Sequence, residues 1–455
     1  MDRRNSVSSP STSRAPLVLL ALLASLLFFE SFFASPAASL RRNAPAVKQL
    51  CSADARVPAG GVGAPAPPPS AFAPLPSDTR VFDPDVVTHT MAQFGRFLRS
   101  QRPERAREFL ANEWRDRRHT FPLITGDGFR MLADWWADTK DEVSSMATQL
   151  LREDTPLAAR LSAGGQAVIV FLGNDDPSLP AFLEGGYLDA SPVPIVLLVL
   201  NGDKDGIALD NPWLAHPKLA HVFTQNCLGN SSKVTCVPIG LENRQWSMHG
   251  WTPETIMGSM LGAREAPSPL ERLAATANGT EGTLAFACFG VHTWPEERGP
   301  LAGRLDGDRA SFGWVSRDCN KGLVDFHRRM LDNAAVIAPR GHGLDTLRAW
   351  EALYLGRVIV GRSLPMDPLW EGLPVLLLPS WDALTREAVA AGVAALSTPA
   401  ALARSRAATP KLFMPYWACE IGKAAGRAGE FCGLPALRPR LSARRARSLV
   451  VRYFI

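Results

Sequence analysis

The chain has 455 residues, 46% of them hydrophobic and 20% charged, which is too long for one ordinary domain and sufficient for two cores with accessory segments. Its net charge of +5 is small for this length, and Lys and Arg are interspersed with Asp and Glu, which argues against a nucleic-acid partner. The seven cysteines contain no C-x-x-C pair and no Cys/His pair at zinc spacing, so a structural zinc site is not expected.

In chain order, the first predicted element is an apolar run at 15–29, preceded by Arg3, Arg4 and Arg14. Fifteen helical residues reach only about 22 Å. The apolar pattern resumes after Glu30, however, so 15–38 is long enough to span a hydrocarbon core of about 30 Å. The upstream arginines keep 1–14 cytosolic and place the body of the protein in the lumen. A cleaved signal peptide ending near Ser35-Pro36-Ala37 is the competing reading and sends the body to the same side. Residues 39–80 are rich in Ala, Pro and Gly and read as an extended stem. The sequons Asn230-Ser-Ser and Asn278-Gly-Thr agree with lumenal exposure. In an oxidising lumen Cys227 and Cys236, and Cys419 and Cys432, are close enough in sequence to pair.

Helical periodicity is expected at 91–101 and 128–151, within a first Rossmann-like domain at 81–250. Short, continuous, β-branched runs follow at 167–173, 194–201, 219–226 and 234–241, the pattern of a parallel sheet covered on both faces. Residues 251–282 form a connection. A second series of strands at 283–290, 334–339, 357–361 and 374–379 alternates with helices and defines a second α/β domain at 283–395. A helical tail at 396–455 includes an amphipathic stretch at 411–428 and an acid-free end with six arginines between 438 and 452. The expected fold class is α/β: two doubly wound, Rossmann-like domains facing a cleft.

Residues 334–361 read strand, glycine loop, helix, strand, with Arg340-Gly341-His342-Gly343 at the opening. Asp345 is expected to cap the helix and Gly356 to end it. Free N–H groups at such a helix start favour a diphosphate. Arg340 and Arg348 are placed to reach phosphate oxygens, and Glu351, three residues beyond Arg348, can accept hydrogen bonds from a ribose diol. The bland alternative is an Arg348–Glu351 surface pair worth a few tenths of a kcal/mol.

The string I-A-P-R-G-H-G-L-D-T-L-R-A-W-E-A-L-Y-L-G at 337–356, followed by D-P-L-W-E-G-L-P-V at 367–375, resembles the exostosin family and its algal and plant relatives. Looser matches are LNGD (200–203), FTQNC (223–227), PIGLENRQW (238–246), HTWPEER (292–298) and KLFMPYW (411–417), so the resemblance covers about residues 160–420. It implies an inverting glycosyltransferase of GT-B architecture that uses a nucleotide sugar, commonly a UDP-sugar, with a glycan or glycoprotein acceptor. It further implies that Arg298, Arg340 and Arg348 contact the diphosphate and donor sugar and Glu351 the ribose. Together with the anchor it implies a Golgi membrane protein. Arg357 departs from the small or apolar residue that many relatives carry after the helix-ending glycine, so the donor sugar is not carried over.

An inverting transfer needs a base for the acceptor hydroxyl. The strand-end acids Asp203 and Glu242 are the candidates, each weighed against an ordinary capping role. Asp203-Lys204-Asp205 also matches the D-x-D of a metal-dependent GT-A enzyme, but Asp83-Pro84-Asp85 and Asp306-Gly307-Asp308 match equally, and no required metal is expected. His292 and His342 are further candidates for donor contact. A non-catalytic partner subunit or carbohydrate-binding scaffold is the reading from a different class, and homo- or hetero-oligomers stay open.

Overall fold

The computed structural model describes residues 123–144, 156–174, 177–203, 206–243, 259, 263, 266–277, 282–319 and 322–432, all within one compact unit, Pro67–Ile455. The expected cytosolic tail, membrane anchor, stem, 91–101 helix, Asp205, Asn278 sequon and arginine-rich end lie outside the described residues. Among the described residues no single helix is long and apolar enough to cross a membrane.

The first lobe carries strands β1 (Trp135–Ala137), β2 (Val168–Gly173), β3 (Ile195–Leu200), β4 (Leu219–Thr224) and β5 (Val234–Cys236). They form one parallel sheet in the order β1-β2-β3-β4-β5. Every residue of β2 and β3 is buried, because apolar side chains on both faces need cover on both faces. The period of two divides them: Val168, Val170, Leu197 and Val199 join one core, and Ile169, Phe171, Val196 and Leu198 join another.

Nine of the helices are numbered α1 (Gly126–Arg130), α2 (Pro156–Ala163), α3 (Ser178–Glu184), α4 (Pro295–Gly307), α5 (Leu323–Leu331), α6 (Leu347–Tyr354), α7 (Arg386–Leu396), α8 (Pro399–Ala408) and α9 (Met414–Ala424). Leu161 of α2 and Phe182 of α3 cover the first face of the first sheet, and Phe129 of α1 and Trp417 of α9 cover the second.

The second lobe carries β6 (Ala285–Phe286), β7 (Val315–Ser316), β8 (Ala335–Ile337), β9 (Val358–Arg362) and β10 (Val375–Leu378), again all parallel. Their order is β10-β9-β8-β6-β7. The chain therefore moves from β6 to β7 on one side and then returns to lay β8 on the other. That reversal creates a crevice outside the carboxyl ends of β6 and β8, where open α/β sheets bind ligands. Leu301 and Leu305 of α4 and Val389 and Val393 of α7 cover one face of this sheet. Met330 of α5 and Trp350 and Tyr354 of α6 cover the other.

That last core is continuous with the first lobe's α1/α9 core, so one hydrophobic cluster joins the two sheets. Tyr354 stands at the seam. Its buried hydroxyl donates to the Leu412 carbonyl at 2.7 Å and accepts from the Ile124 N–H at 3.0 Å. From there α9 packs onto the first lobe, with Trp417 tilted against Phe129 and the Ala425 carbonyl accepting from Ala167 N–H. Arg427 closes the chain onto Asp134 and Glu430 in a buried ion-pair cluster.

Three sequence expectations need correction, and one strand, β7, went unpredicted. The helix at 128–151 is interrupted: α1 ends at Arg130 and Trp135–Ala137 is a strand beside β2. Asp134 fixes that exchange, because its carboxylate accepts from Ile169 N–H and pairs with Arg427, contacts that only the folded chain supplies. The strand at 283–290 shrinks to Ala285–Phe286, since the chain leaves the sheet there to enter the site. Its neighbour β7 was too short to give a period. Finally, among the described residues the first sheet runs in simple sequence order, whereas the second alone reverses its winding.

Among the described residues three disulfides are present: Cys227–Cys236, Cys288–Cys319 and Cys419–Cys432. The first and third match the two pairs expected from proximity. The second joins the chain just after β6 to the chain just after β7, a pairing that 31 residues of separation concealed.

Candidate active site at the lobe junction

The crevice at β6 and β8 is framed by two loops and the start of α6. After β6, Phe289 is followed by Gly290 and the first turn of α4, which brings Arg298 inward. Arg298 is 5% exposed. Its Nε donates to the Arg340 carbonyl at 2.6 Å, one terminal nitrogen to the Gly290 carbonyl at 2.9 Å and Thr293 Oγ1, and the other to the Pro339 carbonyl at 3.0 Å. The guanidinium therefore stitches the loop after β6 to the loop after β8. Most of its donors are engaged by the protein, and what it offers a ligand is mainly charge. Burial, then the nearby Arg348 charge, pull its pKa down to about 10, which still leaves it protonated at neutral pH. Glu297, beside it, anchors α4 by accepting from Arg362 at the end of β9 and from Trp381 Nε1.

Aromatic faces orient the arginines around this crevice. Arg298 and Arg317 lie over Phe289, Arg340 lies 4.1 Å from the Trp294 ring centre, and Arg348 lies over Phe326. Arg317 is paired with Asp306. Arg340 also donates to the His342 carbonyl at 3.1 Å, curling the glycine loop. Gly341 passes so close to Arg298 that a Cβ there would lie 3.3 Å from the guanidinium. Gly343 is packed on Asn226 of the first lobe, whose amide would lie 2.5 Å from a Cβ.

Arg348 and Glu351 project from α6, which begins at Leu347 after Thr346. The surface-pair reading fails on burial: Glu351 is 8% exposed. The Nε of Arg348 is buried with no hydrogen-bond partner among the described residues. Burial pushes the Glu351 carboxyl up to about 7; the Arg348 charge opposes this, and the charge of Glu242 adds to it. Burial likewise pulls Arg348 below its usual range. A half-buried cation with an unpartnered Nε beside a buried acid is an arrangement that an outside partner can complete.

The first lobe supplies the opposite wall from the carboxyl ends of β3, β4 and β5. Asn201 and Asn226 both adopt left-handed backbone conformations, φ 60° and 51°, and terminate β3 and β4. The Gln225 side chain joins them, accepting from Asn201 N–H and donating to the Gly202 carbonyl. Asn243 accepts from Asp127 N–H and donates to Asn201 Oδ1. Glu242, half-buried next to Asn243, is the first-lobe acid whose charge reaches Glu351. Asp203 is exposed beyond β3.

Asp345 does not cap α6; Thr346 holds that position without a side-chain cap. The Asp345 carboxylate instead turns back into the lobe junction, where it accepts from Ile239 N–H, Thr346 N–H and Trp350 Nε1. Gly356 does end the helix region, at φ 68°. His292 and His342 are exposed on the loops at the mouth. The sequence reading missed Asn226, Asn243, Arg317 and Phe326. Asn226 and Asn243 stood within the quoted FTQNC and PIGLENRQW strings, but nothing in their spacing placed them opposite the glycine loop.

No family model matches the chain, and no curated protein does. Among solved structures it is similar to an alpha,alpha-trehalose-phosphate synthase (UDP-forming) from Burkholderia vietnamiensis, at 14% identity and a TM-score of 0.32, covering 75% of this chain and 86% of that one. It is also similar to a trehalose-6-phosphate protein from E. coli bound with UDP-2-fluoro glucose, at 13% identity and a TM-score of 0.27, covering 66% and 79%. Similarity at that level leaves the functional argument to the residues of the site.

Proposed function

We propose that this chain is an inverting, nucleotide-sugar-dependent glycosyltransferase of GT-B plan, exostosin-like, that moves a sugar from a UDP-sugar to a glycan or glycoprotein acceptor. The observation that carries the reading is Arg348 at the β6/β8 crevice, whose buried Nε has no hydrogen-bond partner among the described residues, with the buried Glu351 carboxyl one helical turn along. A nucleoside diphosphate suits both groups, with phosphate oxygens for the guanidinium and a ribose diol for the carboxylate. Arg340 and the N–H groups of residues 341–343 extend the anion site, and the buried charge of Arg298 raises its potential.

In this reading, departure of the diphosphate is stabilised by fixed guanidinium and N–H dipoles already oriented before reaction. Glu242, on the opposite wall, takes the acceptor's proton as its oxygen attacks the anomeric carbon from the face away from the leaving group. Asp203, being exposed and beyond β3, is the less supported base. The arginines supply the positive charge a metal would supply elsewhere, so turnover is expected to be independent of added divalent ions. A lumenal Golgi location fits the three disulfides and the exposure of Asn230 in the turn between β4 and β5.

The test is a thermal-shift and calorimetric screen of the full chain against nucleoside diphosphates. UDP should raise the melting temperature, and Arg348→Ala should weaken its binding about 10- to 100-fold, the scale of one charged hydrogen-bonded contact. No shift with any nucleoside diphosphate would remove the basis for the assignment.

A further inference from the structure

The loop that receives phosphate in this reading belongs to the second lobe, yet the first lobe holds it. Asp345 sits at its end, 4% exposed, and makes contacts in both directions across the junction. Its N–H donates to Asn226 Oδ1 at 2.9 Å, and its carboxylate accepts from Ile239 N–H at 2.8 Å. Asn226 and Ile239 follow β4 and β5 of the first sheet. Asn226 is held in turn: its Nδ2 donates to the Gly202 carbonyl at 3.0 Å, its φ is 51°, and the next residue is tied by the Cys227–Cys236 disulfide. Gly343 has no Cβ where one would strike the Asn226 amide. On the other side, Asp345 accepts from Trp350 Nε1, which locks it to α6 between Arg348 and Glu351.

We propose that Asp345 and Asn226 are positioning residues, a reciprocal pair of cross-lobe contacts that holds residues 340–346 in the shape that receives a diphosphate. The phosphate site is then built only when the two lobes are docked, and the geometry of donor binding is set partly by the lobe that faces the acceptor. The inference rests on the nucleotide reading above. A carboxylate suits the task because every partner it faces is an N–H donor; an amide in its place must turn one N–H toward another.

The experiment compares UDP binding by the full chain, by Asp345→Asn, by Asn226→Gly and by the double variant, at a temperature where each is shown to be folded. Asn226→Gly keeps the left-handed backbone accessible while removing the acceptor. Each single variant should lose about tenfold or more in UDP affinity. The double variant should lose little more than the worse single, because both changes open one bracket. If Asp345→Asn does not fold, Asn226→Gly decides, since it leaves the carboxylate and its Trp350 contact in place. Wild-type affinity in a folded variant, with only a lower melting temperature, would make these residues structural and overturn the proposal while leaving the nucleotide reading intact. Failure of the wild-type chain to bind UDP would instead overturn the nucleotide reading, and the bracket's purpose with it.

Discussion

Glu351 is a buried acid, and its behaviour with pH follows from that. In the folded chain it holds its proton up to about 7, against a usual value near 4.5. Between those values the folded state binds more protons than the unfolded one, so this residue's contribution to stability declines as pH rises through that window. Nucleotide binding runs the other way, because an ionised carboxylate is the better acceptor for a ribose diol. UDP affinity is expected to strengthen as pH rises from about 6 to 8 by an amount that Glu351→Gln abolishes, measured by calorimetry against pH. An identical pH profile in the variant would separate Glu351 from the nucleotide. His327 shows the opposite sign: burial draws it down to about 4, so its neutral form stabilises the fold and that stability is lost as pH falls below about 6.5.

At the scale of elements, the loop after β5 shows how a local sequence choice serves the site. Gly240 takes φ 71°, and a Cβ there would lie 2.3 Å from the Ile124 carbonyl oxygen. That close approach lets Leu241 N–H donate to the same carbonyl at 2.7 Å and delivers Glu242 and Asn243 to the junction. Gly240→Ala is therefore expected to destabilise the protein by about 1–3 kcal/mol in denaturant titration, through strain and overlap together. A neutral result would mean the loop has an alternative path. Most of the strands were readable from continuous apolar runs bounded by Gly, Asn and Pro, because burial on both faces leaves that signature. β1 and β7 were not readable, since strands of three and two residues carry no period and owe their conformation to a neighbour. The same limit hid Asp345: its spacing before α6 fits a cap, and Ile239, 106 residues away, together with Trp350 Nε1 draws it elsewhere.

For the molecule as a whole, the two sheets share a core and are fastened at Tyr354, which bonds to Ile124 at one side and Leu412 at the other. Tyr354→Phe leaves a buried N–H and a buried carbonyl unsatisfied and should cost about 1–3 kcal/mol. Because the core is continuous, the loss should appear as a lower midpoint of a single calorimetric transition; two separated transitions would show that the lobes unfold independently. Sequence alone determined the α/β class, the two strand series and the glycine loop before α6, all of which depend on contiguous residues, whereas the Cys227–Cys236 and Cys419–Cys432 pairings were only permitted by proximity. What the tertiary structure decided is how the charges are partnered: Arg298 is committed to backbone carbonyls and Thr293, Asp345 to the opposite lobe, and the buried Nε of Arg348 to no hydrogen-bond partner among the described residues. The reason is that desolvation and partnering are set by neighbours distant along the chain, and spacing carries no record of them.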